Sequence, residues 1–412
     1  MPLGPADGPG GDHRDPRHGR SCRPGQAVRE LPRGVRAGVA TAGARRGPRV
    51  VVGPGALGRL GDELERVGTH RPLVVCGRST ARDTALMDAL GAALRGRAVE
   101  LVDHVRPDVP LESVERVADA VVSSGADALV AVGGGGAITT ARAANIVAHE
   151  RSGLLDLSTH IDDEGRVTSP RLTGRRLPQV VVATTPTTAA PKAGAAVTVD
   201  GRRHALYDPR TRAASVVVDS TVTTGVPRDT RTAAVLNAYV MAVEGWMSPL
   251  HHPLVDVTLR GAVAELAEAL AAALRGEPGT DDRPVIAAVA VGEATDVTGG
   301  GMTAALSHTI GPLVDVPNGI LDALLLPHVV AASGPAQRDR LDDLSSTLGA
   351  DVLDVVRHAL TTGSRSTRLR DVGLPADSVA EVARRALDDV SAWTDRHPDP
   401  GAHAHRILAA AW

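Results

Sequence analysis

Lys192 is the only lysine among 412 residues whose other basic positions are all arginine, and it stands in TTPTTAAPKAG, a threonine-rich stretch that follows an apolar run. An ammonium is a compact charge that can lose its proton when desolvated and then act as base or nucleophile, whereas a guanidinium stays protonated. Upstream, AVGGGGAITTARAANIV places Gly133, Gly134, Gly135 and Gly136 between a strand pattern and a helix pattern. Such a turn lets a pyrophosphate approach the backbone and meet the first N–H groups of the helix. Hydroxyls at Thr184, Thr187 and Thr188 supply donors for phosphate or ribose on a second wall. Downstream, RRHALYDPR offers Tyr207 as a proton donor, with Arg202, Arg203 or His204 to bind a substrate carboxylate; it reads equally well as a solvated hairpin.

These residues need a frame. From about residue 49, short β-branched runs alternate with amphipathic helical stretches, which predicts a parallel, doubly wound sheet. After Pro227 the strand pattern stops, and Ala-rich segments with apolar spacing of three and four predict successive helices. The expected organisation is a flexible tail over 1–48, an α/β nucleotide-binding domain over 49–228 and an all-helical domain over 229–412. Ligands in such a pair bind beyond the carboxyl ends of the strands, in the cleft between domains.

Composition narrows the function classes. A formal charge of −3 provides no basic field for nucleic acid, and no apolar run is long enough to span a membrane. With no Phe, two Tyr and three Trp, the core must be packed from Ala, Val and Leu. Cys22 and Cys76 make neither a disulfide framework nor a zinc motif, so a reducing cytoplasm is the expected location.

Taken in order, GPGALGRLGDELERVG, HVRPDVP, GADALVAVGGGG, VVATTPTT, LNAYVMAVEGWMSP and SHTIGPLVDVPNGILDALLLPHVV resemble the iron-containing (group III) alcohol dehydrogenase superfamily over about residues 49 to 335. Within it, the NA..AVEG pattern is most similar to maleylacetate reductases. The resemblance implies a dehydroquinate synthase-like fold, with a Rossmann-like parallel-sheet domain followed by a helical domain. It also implies a pyridine nucleotide and a homodimer.

The family's metal ligands do not carry over. Where it places an Asp and a His one helical turn apart, this chain has Asn237 and Met241; the two further histidine positions hold Ala304 and Asn318. An amide, a thioether, a methyl group and a second amide are not donors for iron or zinc. The expectation is therefore metal-free chemistry, with Met241, Ala304, Asn318 and Arg203 left to face substrate. His308 matches the family's second histidine, which lies beside nicotinamide and substrate. GGGSPxDxAK has become GGGGAITTAR, with Thr139 at the position of the acid, and the glycine loop GTGSE has become the stiffer segment around Lys192. At the end of the second strand, Gly77 and Arg78 replace an acid that would repel a 2′-phosphate, which favours NADP(H) over NAD(H).

The leading expectation is an NAD(P)H-dependent, metal-independent reductase of a carbonyl or conjugated alkene in a small carboxylate or specialised metabolite. Lys192, His308, Asn237 and Tyr207 are its catalytic candidates. A competing expectation is a redox-silent lyase or cyclase in which Lys192 and His308 perform acid/base or imine chemistry. A third is a catalytically silent binding protein.

Overall fold

The computed structural model describes residues 47–412 apart from 99, 151, 163–164, 280 and 363–366. Residues 1–46, which include Cys22 and nearly all of the expected tail, lie outside the described residues.

Among the described residues the first half carries ten strands: β1 (Arg49–Val52), β2 (Pro72–Cys76), β3 (Glu100–Val102), β4 (Ala128–Gly133), β5 (His160–Ile161), β6 (Val167–Thr168), β7 (Gln179–Ala183), β8 (Gly194–Val199), β9 (Arg202–Tyr207) and β10 (Ala213–Val218). Between and after them run the helices α1 (Leu60–Arg66), α2 (Arg78–Ala81), α3 (Thr84–Leu94), α4 (Leu111–Ser124), α5 (Gly135–Val147), α6 (Leu154–Leu157) and α7 (Ser220–Thr223). The remainder is helical: α8 (Arg228–Met247), α9 (Pro253–Leu274), α10 (Arg283–Thr298), α11 (Gly301–Ile310), α12 (Asn318–Ala332), α13 (Pro335–Leu348), α14 (Val352–Thr362), α15 (Val379–Arg385) and α16 (Pro400–Ala411).

Six strands form one parallel sheet in the order β1-β10-β7-β4-β2-β3. Residues of β2, β4 and β7 are buried throughout, as central strands covered by helices on both faces must be, and this explains their continuous Val, Ala and Leu composition. The chain goes outward from β2 to β3 and then returns to β4 on the other side of β2. That reversal is the flavodoxin-like switch point, where the strand ends diverge and leave a crevice for ligand.

The second half packs around α8, whose Leu236, Tyr239, Val243 and Trp246 are buried. Tyr239 is a packing residue, as its spacing from Asn237 suggests: it is fully buried and its hydroxyl donates to the Val352 carbonyl at 2.9 Å.

RRHALYDPR is more than a solvated hairpin. Strands β8 and β9 pair antiparallel across Asp200 and Gly201, whose φ values of 47° and 69° fit the type I′ turn that Asp-Gly favours. Ala195, Val197 and Leu206 anchor the hairpin in the core. On the other face of β9, Arg203, Ala205 and Tyr207 recur at the period of two and line a cavity.

Candidate active site

A cleft of about 2340 Å³ lies between the carboxyl ends of β4 and β7, the β8–β9 hairpin and the helices α8, α10, α11 and α12. It exceeds the roughly 300–1,000 Å³ of an ordinary ligand pocket, which leaves room for a dinucleotide together with a substrate.

One wall is the glycine turn. Gly134 caps α5 with no side-chain hydrogen bond, so the first amides of that helix are left for a ligand. Close packing forbids side chains here: a methyl group at Gly134 would come within 2.7 Å of Thr185 Oγ1, and one at Gly136 within 2.9 Å of the Arg106 carbonyl. Gly135, Gly136, Thr139, Thr187 and Thr188 line the cleft. Thr184 does not; it is buried, and its amide donates to the Gly133 carbonyl at 3.1 Å, tying the two loops together. Gly77 and Arg78 lie at the carboxyl end of β2 and the start of α2, at the switch point but outside the cleft lining.

The loop that carries Lys192 is held from beneath by Arg142, which sequence reasoning passed over. Its side chain is fully buried and donates to the carbonyls of Gly194 at 2.9 Å and Ala189 at 2.8 Å. Burial pushes its pKa down to about 9. Arg212 donates to the Pro191 carbonyl at 2.7 Å and pairs with Asp296, fastening the loop to α10. Lys192 itself lines the cleft, and its ammonium has no hydrogen-bond or ion-pair partner among the described residues. Desolvation lowers its pKa; Asp296 and Asp389 oppose that fall, while Arg142 and Arg212 add to it.

His308, on α11, faces the same space. Its Nδ1 lies 2.7 Å from Asp389 Oδ2 in the turn before Trp393, and Asp389 also accepts from the Ser391 amide at 2.8 Å. Burial pushes the Asp389 carboxyl up, but the charge and hydrogen bond of His308 and the field of Arg203 hold it well below the carboxylate range. Desolvation, with Arg203 and Lys192 nearby, lowers the pKa of His308 despite Asp389. The imidazole therefore donates Nδ1–H to an ionised Asp389, and Nε2 is the nitrogen left for proton transfer.

Of the four residues that the resemblance aligns with metal ligands, two are held by other side chains. Asn237 Nδ2 donates to Asp322 Oδ2 at 2.7 Å, and Met241 Sδ accepts from Thr188 Oγ1 at 3.2 Å. Asn318 opens α12 at the cleft wall. Ala304 is buried and does not line the cleft, so it is not placed to touch substrate. Among the described residues no group of three or more His, Cys, Asp or Glu is arranged to hold a metal ion. These side chains do not fit iron or zinc.

Two buried acids were not singled out from the sequence. Asp322, 2% exposed, receives Asn237, and burial raises its pKa to about 7 against the hydrogen bonds from Ser307 and Asn237. Glu244 accepts from the Thr303 amide at 3.0 Å at the start of α11, the helix that carries His308, and burial raises its pKa to about 8. A lone acid in an apolar helical run, as in NGILDALLLP, was the available signal for Asp322.

Two family profiles match the chain: Iron-containing alcohol dehydrogenase over residues 47–220, and Fe-containing alcohol dehydrogenase family, C-terminal, over residues 232–412. The chain therefore belongs to the iron-containing alcohol dehydrogenase family and is an oxidoreductase of that family. Lactaldehyde reductase of Escherichia coli (strain K12) is 26% identical over 82% of this chain and 91% of its own length. Maleylacetate reductase of Sphingobium indicum is 27% identical over 82% and 88%. The crystal structure of sulfoacetaldehyde reductase from Bifidobacterium kashiwanohense in complex with NAD+ superposes with a TM-score of 0.76 at 19% identity, covering 90% of this chain and 99% of that one. The fold and family expected from the sequence are those observed.

Proposed function

We propose that this protein is a pyridine-nucleotide-dependent carbonyl reductase that works without a metal ion. The observation that carries the reading is the pairing of His308 with Asp389 at 2.7 Å in a cleft that Lys192 also lines, its ammonium without a partner among the described residues; the positions that the resemblance aligns with metal ligands, Asn237, Met241, Ala304 and Asn318, carry no imidazole or carboxylate. The glycine turn fits a dinucleotide, because it leaves the first amides of α5 without a side-chain cap at the cleft that Gly135 and Gly136 line. When bound, a dihydronicotinamide supplies a hydride, two electrons with one proton, to the carbonyl carbon.

The remaining chemistry falls to the chain. Negative charge that develops on the carbonyl oxygen is met by the Lys192 ammonium, which the loop fixed by Arg142 and Arg212 holds in place in advance. His308 delivers the proton that completes the alcohol through Nε2, and Asp389 stabilises the imidazolium from which it comes. Asn237, fixed by Asp322, keeps a second amide N–H for the substrate oxygen, and Tyr207 faces the same space. Gly77 offers no carboxylate to repel a 2′-phosphate and Arg78 is exposed beside it, which favours NADP(H).

Thermal protection tests the nucleotide. NADPH is expected to raise the unfolding temperature more than NADH, and failure of both to shift it removes the reading.

A further inference from the structure

Arg203 is a half-buried cation on the cleft wall with no side-chain partner among the described residues. Its Nε is inaccessible to solvent and makes no hydrogen bond, and no other hydrogen bond or ion pair of its side chain occurs among the described residues. The carboxylates whose field it feels, Asp389, Asp108 and Asp322, are each committed elsewhere. Asp389 receives His308 and the Ser391 amide, Asp108 receives Arg106 at 2.9 Å, and Asp322 receives Asn237. A guanidinium whose Nε is buried and unmatched in this way costs stability, so a cleft that keeps one holds it for an anion that arrives with the ligand.

Position identifies which part of the ligand that is. Arg203 lies on the cleft face of β9 with Tyr207, and its charge acts on both His308 and Asp389. It therefore sits at the reacting end of the cleft, beside the proton donor. Neighbouring Arg202 is exposed, and neither Arg202 nor His204 lines the cleft, so of the three basic residues in this strand Arg203 alone can serve. The hairpin turn is fastened to the helical half by Arg385, which donates to the Gly201 carbonyl, so the guanidinium is carried on a fixed support.

We infer that Arg203 is the carboxylate-recognition group of the substrate site and that the substrate class is oxo-acids, with the carboxylate on Arg203 and the carbonyl between Lys192 and His308. This deepens the proposed reductase reading and rests on it for the carbonyl alone. A planar fork matches a carboxylate with two parallel hydrogen bonds, which a neutral ester cannot accept in the same way. The reduction balances as a hydride to the carbonyl carbon and a proton to its oxygen, and the carboxylate passes through unchanged.

The test uses pyruvate, acetoacetate and levulinate, each with its methyl ester, together with succinate as a non-reducible dicarboxylate. At least one acid is expected to exceed its ester in kcat/KM by about 10- to 100-fold, the size of a charge-assisted pair. Arg203→Met is expected to remove most of that preference and Arg203→Lys to restore part of it, with nucleotide protection serving as the control for folding. Succinate is expected to protect the wild type against unfolding and not Arg203→Met. If succinate protects both equally, or if acids and esters turn over alike in the wild type, the inference is overturned while the reductase reading stands. If succinate protects through Arg203 but no acid oxidises NADPH, the carboxylate site stands and the reductase reading falls.

Discussion

His308 and Asp389 stand 81 residues apart in the chain, and their side chains meet at 2.7 Å on the wall of the cleft. The contact forms because α11 packs against the turn around Val390–Trp393, whose Ser391 amide Asp389 also caps. A carboxylate behind an imidazole sets the tautomer and stabilises the charged form, which is what a proton donor requires where no metal ion assists.

Asp389→Asn keeps the shape and the Ser391 contact but removes the charge. Reduction is expected to slow by about 100-fold, the usual contribution of general acid catalysis, with nucleotide affinity little changed. Stopped-flow measurement of nicotinamide oxidation separates the two effects, and an equal loss of nucleotide binding would contradict the assignment.

The pH profile follows from His308. Its pKa lies below the usual 6.5 because of burial, Arg203 and Lys192, so the protonated donor is depleted as pH rises through that lowered value. Reduction rates should therefore fall from mildly acidic to neutral pH and the reverse oxidation should rise. His308→Asn should flatten the acid limb in both directions, as profiles of kcat/KM against pH would show.

Lys192 separates charge from geometry. Lys192→Met should cost about 100-fold or more in kcat, as loss of an oxyanion-stabilising group does, and Lys192→Arg should recover only part of it because the planar fork cannot take the place of a compact ammonium. Full activity in Lys192→Arg would remove the residue's special role.

Much of this site was legible in sequence. Lys192, Gly135, Gly136, Thr187, Thr188 and His308 line the cleft because each sits at the end of a strand or on a helix whose pattern is local, whereas Gly133, Gly134 and Thr184 lie behind the lining. What escaped was the set of partners. Nothing in RRALDDVSAW marks Asp389 as the residue that meets His308, and nothing in TTARAAN marks Arg142 as the brace of the lysine loop. Both depend on packing between distant elements, which periodicity does not encode. Ala304 illustrates the reverse case: its alignment position suggested a place at the substrate, but its helix turns it into the core behind Gly300. The β8–β9 hairpin was readable from Asp200-Gly201, but its cleft-facing role was not.

Glu244 and Asp322 make a statement about stability. Their folded pKa values of about 8 and about 7 exceed the ordinary 4.5 and 3.8, so the folded state binds protons more tightly than the unfolded one. The stability they contribute is complete below the ordinary values and is lost as pH rises through about 7 for Asp322 and about 8 for Glu244. The temperature of thermal unfolding should therefore fall between mildly acidic and mildly alkaline pH. Glu244→Gln should reduce that slope, and an unchanged slope would contradict the assignment of Glu244 as a buried neutral acid.

The central claim is that charge and proton come from Lys192 and from His308 with Asp389, not from a metal ion. Single-turnover oxidation of NADPH by an accepted oxo-acid, measured on protein before and after exhaustive chelation with metal content assayed in parallel, tests it most directly. The expected result is an unchanged rate constant at far less than one metal ion per chain. Loss of the rate on chelation, with recovery on adding ferrous or zinc ion, would contradict it.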